Sequence, residues 1–384
     1  MKVLFIGMTK KHGGTETYIL NTARLLWEKT DAELFFLDIE EHGIVYQQYI
    51  RDHGGTIIPY TIHRGLPGLA YNRGEADRFF QQHHFDVVDV NVNILRNGFW
   101  TFAAKRSGVK KIFVHSHNSS YGQRSKTKQF VYNITDGIDR QKLRRANVQL
   151  LAASEGAGKW MFHDLPFQVI HNGIDTTRFR FSATDREAIR RQLKISDASL
   201  VLISVARFVF QKNQEQAVTI FNQLLKERPD AYLLFVGDGE RLNSVKQMVH
   251  ERGIQDRVRF LGYRDDIPQL LSAADIMLFP SRYEGTPYSL MEAESSGLGV
   301  VASSEAFRPD EDLTGLVNFC SLADADEQWS QTIGTLFDRI QASARDELRL
   351  TANAAVEHSR YSLVTFEQQI MNLYFPTDDG VNKK

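Results

Sequence analysis

The sequence predicts an α/β protein built from two doubly wound parallel sheets, and three observations support that fold class. Short β-branched and aromatic runs alternate with helix-length amphipathic segments over the whole chain, which is typical of doubly wound sheets. Most of the runs are continuously apolar, as expected for strands buried on both faces of a parallel sheet. With 384 residues, 42% of them hydrophobic, the chain is long enough for two domains.

Twelve runs are predicted as strands because each is short and apolar and gives way to a turn or a helical pattern. They are Val3–Ile6, Glu33–Leu37, Thr56–Pro59, Val87–Val90, Lys111–His115, Gln149–Ala152, Gln168–Ile170, Leu200–Ala206, Tyr232–Val236, Val258–Leu261, Ile276–Phe279 and Val300–Ala302. Thr15–Trp27 and Gln214–Lys226 are predicted helices, since their apolar residues form one stripe.

The alternation is interrupted between residues 172 and 198, which hold turn residues and a charged helix but no strand. We therefore place a hinge near 172–180, which predicts one domain over 1–172 and a second over 173–361. After Tyr361 the pattern predicts an amphipathic helix, and the last eight residues read as a frayed terminus. Two such domains favour a ligand in a cleft at the carboxyl ends of the sheets.

Charge and cysteine content exclude several classes of protein. Lys+Arg 46 against Asp+Glu 47 gives a net charge of −1, which argues against nucleic-acid binding through overall basicity. The lone Cys320 allows no internal disulfide and no cysteine-based metal site. No apolar run approaches the ~20 residues that span a bilayer, and the opening MKVLFIGM is too short for a secretory signal. We expect a cytoplasmic protein, dissolved or peripheral on a membrane.

A glycine loop follows the first predicted strand and contains Gly13 and Gly14. It precedes a helix, whose free N–H groups and dipole favour an anion. The spacing matches neither a dinucleotide-binding loop nor a P-loop. A tight turn without a ligand explains the two glycines equally well.

Two cations, Arg207 and Lys212, stand five positions apart just after a buried strand. At a strand tip facing a cleft they could clamp a diphosphate without a metal ion. Considered alone, they are more often two ordinary surface cations.

Two carboxylates, Glu284 and Glu292, bracket the start of a helix near Tyr288 or Ser289. The N–H groups of that helix could face a phosphate, while the carboxylates accept hydrogen bonds from sugar and ribose hydroxyls. A capping carboxylate plus a solvated helical Glu is the alternative.

His115 and His117 lie two apart at a strand end and are predicted to point in opposite directions while the strand persists. A third ligand with zinc spacing is not recognisable. A histidine here could bind a hydroxyl or transfer a proton. Gly237, Gly239 and Gly262 each follow a strand and are predicted to allow close backbone approach.

The order of these motifs is more specific than any one of them. The Gly-Gly-Thr-Glu loop, NGID at the hinge, R-x-x-x-x-K-N, GDG, LGYRDD and EGTPYSLMEAESSG follow one another along the chain. This succession resembles the family 4 retaining glycosyltransferases of the GT-B fold, especially those of exopolysaccharide and capsule assembly. The resemblance is strongest over residues 168–301 and looser over 38–110.

The resemblance implies roles for individual residues. Arg207 and Lys212 would hold the donor diphosphate, Glu292 the ribose, and Glu284 the transferred sugar near its 3-position. His117 corresponds best to the sugar-binding histidine of the family, with His115 as the alternative. Further donor-binding positions would be Gly13, Gly14, Gly262, Tyr263, Arg264, Gly285, Thr286, Pro287, Tyr288, Ser289 and Leu290. Thr286 and Tyr288 replace residues usual in the family, which leaves the donor sugar open.

The resemblance also implies an architecture and a reaction. The first domain would bind the acceptor and be completed by the helix at 362–378, and the second would bind a nucleotide sugar, with UDP the expected carrier. We expect no cofactor and no metal, because Arg207 and Lys212 supply positive charge. Departing phosphate would help to deprotonate the acceptor on the same face. An epimerase, a phosphorylase and a non-catalytic sugar-nucleotide-binding protein are the alternatives; a missing G-x-G-x-x-G argues against a nicotinamide dehydrogenase.

Basic residues are concentrated between Lys105 and Arg145, where eleven cations face only Asp136 and Asp139. One interpretation is a surface that docks on anionic lipid, which suits a lipid-linked acceptor. The other is a solvated face balanced by acids elsewhere.

Overall fold

The computed structural model describes residues 1–10, 13–39, 43–61, 63, 65–118, 126–284 and 288–376. The chain divides into two compact units. Unit 1 comprises Met1–Gly173 and the segment that begins at Phe366, and unit 2 comprises Ile174–Thr365. Among the helices described, none is long and apolar enough to cross a membrane.

Each unit is built on a parallel sheet. The strands are β1 (Lys2–Ile6), β2 (Glu33–Asp38), β3 (Thr56–Pro59), β4 (Val87–Val92), β5 (Lys111–Ser116), β6 (Gln149–Ala152), β7 (Gln168–Val169), β8 (Val201–Val205), β9 (Tyr232–Val236), β10 (Val258–Phe260), β11 (Ile276–Phe279), β12 (Gly299–Ser303) and β13 (Val317–Cys320). The order is β3-β2-β1-β4-β5-β6-β7 in unit 1 and β10-β9-β8-β11-β12-β13 in unit 2. The predicted α/β class with two doubly wound sheets is confirmed.

Helices connect the strands and cover both faces of the sheets. They are α1 (Gly14–Lys29), α2 (Gln47–Asp52), α3 (Gly65–Gln82), α4 (Phe99–Arg106), α5 (Lys126–Ala146), α6 (Glu155–Phe162), α7 (Ala183–Leu193), α8 (Gln214–Leu224), α9 (Leu242–Glu251), α10 (Ile267–Ala273), α11 (Tyr288–Ser295), α12 (Asp326–Ala342), α13 (Arg345–Glu357) and α14 (Leu363–Tyr374). All twelve predicted strands overlap an observed one, and β13 is the strand that the sequence did not indicate.

In unit 1 the sheet lies between two apolar cores. One contains Phe80, Trp100 and Phe162, and the other contains Tyr18 and Phe36 together with residues of α14. The helix α14 therefore completes the core of unit 1 although it follows the whole of unit 2 in sequence. The tail helix expected from the amphipathic pattern after Tyr361 is present.

A buried ion pair network joins α7 to the sheet of unit 2. The Asp275 carboxylate, fully buried before β11, contacts Arg190 Nη2 at 2.7 Å and Arg186 Nη2 at 3.1 Å. Its Oδ2 atom also accepts from the backbone N–H of Val201 at 2.8 Å, where β8 begins. Buried charges are stable only when opposite charges and hydrogen bonds compensate them. The hydrogen bond to Val201 also fixes the start of β8 next to Asp275.

Candidate active site

The loop after β8 carries the first pair of predicted residues. Residues Phe210–Lys212 form one 3₁₀ turn, and Asn213 adopts a left-handed conformation with φ of 54° before α8 begins. Arg282 holds this loop: its side chain donates to Phe210 O at 3.2 Å and to Asn213 Oδ1 at 2.6 Å. The guanidinium also lies 4.3 Å from the centroid of the Phe210 ring. The backbone around Lys212 is therefore fixed by a residue of the segment that follows β11.

Lys212 and Glu284 are brought together by this loop. Lys212 Nζ lies 2.7 Å from Glu284 Oε1, and the two side chains are 17% and 6% exposed. Gln211 Nε2 donates to the other carboxylate oxygen at 3.2 Å and to Tyr283 O at 2.8 Å. The result is a desolvated ion pair with a neighbouring amide, placed past the carboxyl ends of β8 and β11.

Arg207 is the more exposed of the two predicted cations. The residue is exposed, and its side chain makes no hydrogen bond or ion pair within the described part of the chain. Its backbone oxygen accepts from Gln214 Nε2 at 2.9 Å. Gly237 explains why the backbone can run close to Arg207: at φ of +128° a Cβ there would meet Ala206 O at 2.2 Å.

Glu292 occupies the second turn of α11. Burial raises the pKa of its carboxyl group to about 7, and the positive charge of Arg178 opposes that shift. The helix begins at Tyr288, as the sequence indicated, with Ser289 in its first turn; Leu290 is fully buried and contributes its side chain to the core. The predicted positions Gly285, Thr286 and Pro287 lie outside the described residues.

The loop after β10 contains Gly262, Tyr263 and Arg264. Gly262 O accepts from Gly237 N at 2.8 Å, so this loop lies next to the one that follows β9. The Tyr263 side chain is 62% exposed. Arg264 forks onto Asp266, with Nε to Oδ1 at 2.7 Å, which commits its guanidinium to a carboxylate.

In unit 1, Gly13 precedes α1 and Gly14 is its first residue. The first turn also contains Glu16, whose Oε1 accepts from Thr9 Oγ1 at 2.7 Å. The Glu16 carboxylate therefore accepts hydrogen bonds from Thr9 in the loop, and the residue is 6% exposed. The glycine loop is thus tied to α1 by an acidic side chain that the sequence reading left out.

The two histidines stack on each other instead of pointing apart. The prediction is wrong because side chains two positions apart along a strand share one face. His115 lies on β5 and His117 directly follows its end at Ser116, and the ring centroids lie 4.2 Å apart. His117 Nε2 is 2.7 Å from Asn91 Oδ1, whereas the ring nitrogens of His115 have no hydrogen-bond partner among the residues that the structure describes. Burial lowers the pKa of His117 to about 3 and also lowers the pKa of His115. Both rings are neutral at pH 7.

Several residues with a place in the site were missed from the sequence. Gln211 lies inside the R-x-x-x-x-K-N motif and Arg282 lies two residues before EGTPYSLMEAESSG, so their position beside Lys212 and Glu284 was a usable signal. Asp89 and Asn91 alternate with valines on β4, and these two polar residues within a buried strand were a signal that the prediction did not use. Among the residues described, no group of three or more His, Cys, Asp or Glu side chains is arranged to hold a metal ion.

Two family models and several known proteins match the sequence of this chain. Residues 12–178 match the family model described as Glycosyltransferase Family 4, and residues 185–314 match the one described as Glycosyl transferases group 1. The chain is 28% identical over 345 residues to EpsF of Bacillus subtilis, which is named as a glycosyltransferase, and the match covers 86% of each chain. It is 32% identical over 146 residues, 36% of this chain and 37% of the other, to UDP-Gal:alpha-D-GlcNAc-diphosphoundecaprenol alpha-1,3-galactosyltransferase of Escherichia coli.

A solved structure shows the same fold. HepE of Anabaena in complex with UDP superposes with a TM-score of 0.78 at 20% identity, covering 97% of this chain and 99% of that one. The fold, the order of the motifs and these matches define a glycosyltransferase of the group 1 type with the GT-B architecture. The chain belongs to family 4 of the glycosyltransferases.

Proposed function

We propose that this protein transfers a hexosyl or N-acetylhexosaminyl group from a UDP-sugar to a lipid-linked sugar acceptor with retention of configuration. The observation that carries the proposal is the Lys212–Glu284 pair, 2.7 Å apart, with the exposed Arg207 two residues past the end of β8. Two cations and a carboxylate at one sheet edge are what a sugar diphosphate requires. Unit 2 is thus the donor-binding unit, and unit 1 the acceptor-binding unit.

The relatives support the choice of substrates. HepE has been solved with UDP and with UDP-glucose. The Escherichia coli relative is named for UDP-Gal as donor and for a diphosphoundecaprenol-linked GlcNAc as acceptor. A similar donor and a similar class of acceptor are the simplest assignment for this chain.

The proposed chemistry uses the site residues as follows. The bond between the anomeric carbon and the diphosphate oxygen breaks, and Arg207 and Lys212 stabilise the negative charge that develops on the leaving group. The acceptor oxygen bonds to the anomeric carbon on the same face, and its proton passes to the departing phosphate oxygen. Glu284 accepts hydrogen bonds from the sugar, and Glu292 from the ribose. No metal or cofactor takes part in this scheme.

A panel of UDP-, GDP- and ADP-sugars tests the proposal. We expect calorimetry to show binding of one donor. Nucleotide should be released from that donor slowly without an acceptor and faster when polyprenyl-diphosphate sugars are present. NMR of the product would show the same anomeric configuration as the donor. Binding without any release, even with acceptors present, would favour a non-catalytic sugar-nucleotide-binding protein, and inversion would contradict the mechanism.

We further propose that α5 lies on an anionic lipid surface. Three aliphatic side chains follow one another on its solvent face, Val131, Ile134 and Ile138, and are 47%, 52% and 53% exposed. Lys142 continues this face one turn later. Exposed aliphatic residues beside cations are typical of helices that bind in the membrane interface.

A pocket that shares Lys142 with this face also combines cations with apolar side chains. It has a volume of about 320 Å³ and is lined by Arg73, Phe99, Phe102, Arg106 and Lys142. Two of its cations are paired with acids: Arg106 with Asp77 at 2.7 Å and Lys142 with Asp139 at 2.9 Å. Arg73 has no ion pair within the described residues and would provide the first contact with a lipid phosphate.

Cosedimentation with vesicles tests this surface. Phosphatidylglycerol-containing vesicles should retain the protein at low salt and release it at high salt, whereas phosphatidylcholine vesicles should not. Changing Ile134 and Ile138 to Ser should abolish retention, and Leu350→Ser, which alters an exposed leucine of unit 2, should not. Equal behaviour of both variants, or no retention of the wild type, would overturn the proposal.

A further inference from the structure

A chain of buried polar side chains runs through unit 1 and ends at His117. Asp89 and Asn91 lie on the central strand β4 and are 0% and 6% exposed. Tyr374, on the last turn of α14, donates from its hydroxyl group to Asp89 Oδ2 at 2.7 Å. Polar groups so deeply buried are costly unless each finds a partner, and here they are partners of one another.

The partners of Asn91 fix the orientation of its side-chain amide. Asn91 Nδ2 donates to Asp89 Oδ1 at 3.2 Å and to the backbone oxygen of Asp89 at 3.4 Å. The backbone oxygen accepts whatever the ionisation of the carboxyl group, so the NH₂ end of the amide belongs on the side of Asp89. The amide oxygen Oδ1 must then face His117.

The orientation of Asn91 determines which nitrogen of His117 carries the proton. An amide oxygen only accepts hydrogen bonds, so His117 Nε2, at 2.7 Å from it, must donate. Since the ring is neutral, it has one N–H, and Nδ1 is left with a free lone pair. Within the residues described, Nδ1 has no hydrogen-bond partner, whereas Nε2 is occupied.

We propose that Asn91 is a positioning residue that holds His117 in the Nε2–H tautomer, so that Nδ1 accepts a hydrogen bond from a sugar hydroxyl of the substrate. Asp89 and Tyr374 act through Asn91 by keeping its amide in the required orientation. The part that concerns the sugar rests on the proposed function. The tautomer is a property of the protein alone.

NMR of the ¹⁵N-labelled imidazoles in the ligand-free protein tests the tautomer directly. Signals are assigned by their loss in His117→Gln and His115→Gln. We expect His117 to show a protonated Nε2 and an unprotonated Nδ1, with an Nε2 proton that exchanges at least tenfold faster in Asn91→Ala. A proton on Nδ1, a doubly protonated ring, or unchanged exchange in Asn91→Ala would overturn the proposal.

Kinetics and binding test the consequence for the substrate. Asn91→Ala should lower kcat/KM for the donor sugar by about tenfold, the size expected for one hydrogen bond, while the Kd for UDP stays unchanged. Ser116→Ala, which removes a buried hydrogen bond to Ala157 O from the neighbouring strand β5, is the matched control and should change neither. Equal losses in both variants would reduce Asn91 to a structural role.

A milder variant guards against a failure to fold. Tyr374→Phe removes only the hydroxyl group that holds Asp89, and a smaller loss of kcat/KM with unchanged thermal unfolding is expected. An unchanged kcat/KM together with unchanged Nε2–H exchange would show that Tyr374 has no part in the chain. If no nucleotide sugar is turned over, the proposed function fails, and the NMR result still decides the tautomer.

Discussion

Lys212 Nζ lies 2.7 Å from Glu284 Oε1, although the residues are 72 positions apart in sequence. In the free protein the ammonium group that should hold a phosphate is thus neutralised by the carboxylate that should hold the sugar. Under the proposed function, donor binding opens this pair and gives each group a new partner, the diphosphate for Lys212 and a sugar hydroxyl for Glu284. The ion pair therefore provides each group with an opposite charge until the donor binds.

Replacing Glu284 by Gln should separate sugar binding from nucleotide binding. The amide is a weaker acceptor for a sugar hydroxyl and no longer neutralises Lys212. We expect kcat/KM for the donor to fall about 100-fold, as for the loss of one charged contact in a desolvated site, and UDP alone to bind at least as tightly. Glu251→Gln, on the exposed end of α9, is the control. A weaker Kd for UDP with normal turnover of bound donor would contradict this assignment.

Arg207→Ala should act on the nucleotide without affecting the fold. The guanidinium forms no hydrogen bond or ion pair within the described residues and is exposed, so the free energy of unfolding should change by less than about 0.5 kcal/mol. A hydrogen bond to a charged phosphate is worth about 1.5–3 kcal/mol, which predicts a Kd for UDP that is about tenfold to 100-fold weaker by calorimetry. Arg252→Ala, at the exposed end of α9, serves as the comparison. Unchanged UDP affinity would remove Arg207 from the site.

Glu292 should make nucleotide binding depend on pH. Its pKa is raised to about 7 by burial, so the carboxylate form, the better acceptor for ribose hydroxyls, is lost as the pH falls below 7. We expect the wild type to bind UDP more weakly at pH 6 than at pH 8, by at most about tenfold per pH unit. The dependence of UDP affinity on pH should be weaker in Glu292→Gln than in the wild type. The titration of UDP itself contributes equally to both proteins and cancels in this comparison. Identical slopes would contradict the role of Glu292.

The stability of unit 2 should depend strongly on Asp275. Asp275→Asn removes the charge that compensates Arg186 and Arg190, and breaking a buried pair costs about 3–5 kcal/mol. Asp338→Asn is the matched control, because its pair with Arg228 is largely exposed and should contribute at most about 1 kcal/mol. Urea denaturation of both variants measures the difference. Similar losses for the two would show that the buried network is not the stronger one.

The sequence predicted the fold closely because local signals and tertiary burial agree. Strands such as Tyr232–Val236 are apolar on both faces, so their pattern is unambiguous. The edge strand Val317–Cys320 is the exception: only four residues long, half-buried and paired on one side with β12, it carries little of that signal.

The residues of the site were predictable where they formed motifs, and their contacts were not. Arg207, Lys212, Glu284 and Glu292 stood out by position relative to strands and helices. The stacking of His115 and His117 is an exception, because the two-residue repeat of a strand places both rings on one face although the prediction had them pointing apart. Asn91 and Tyr374 meet through Asp89 across most of the chain, a contact that only the tertiary structure reveals.

Nucleotide release from the preferred donor, measured in excess EDTA for the wild type and for Lys212→Ala, tests the central claim most directly. If Arg207 and Lys212 supply the charge that stabilises the leaving diphosphate, the wild type keeps its rate in EDTA and Lys212→Ala loses about 100-fold to 1,000-fold. Loss of wild-type release in EDTA, with Lys212→Ala as active as the wild type in the presence of metal, would contradict it.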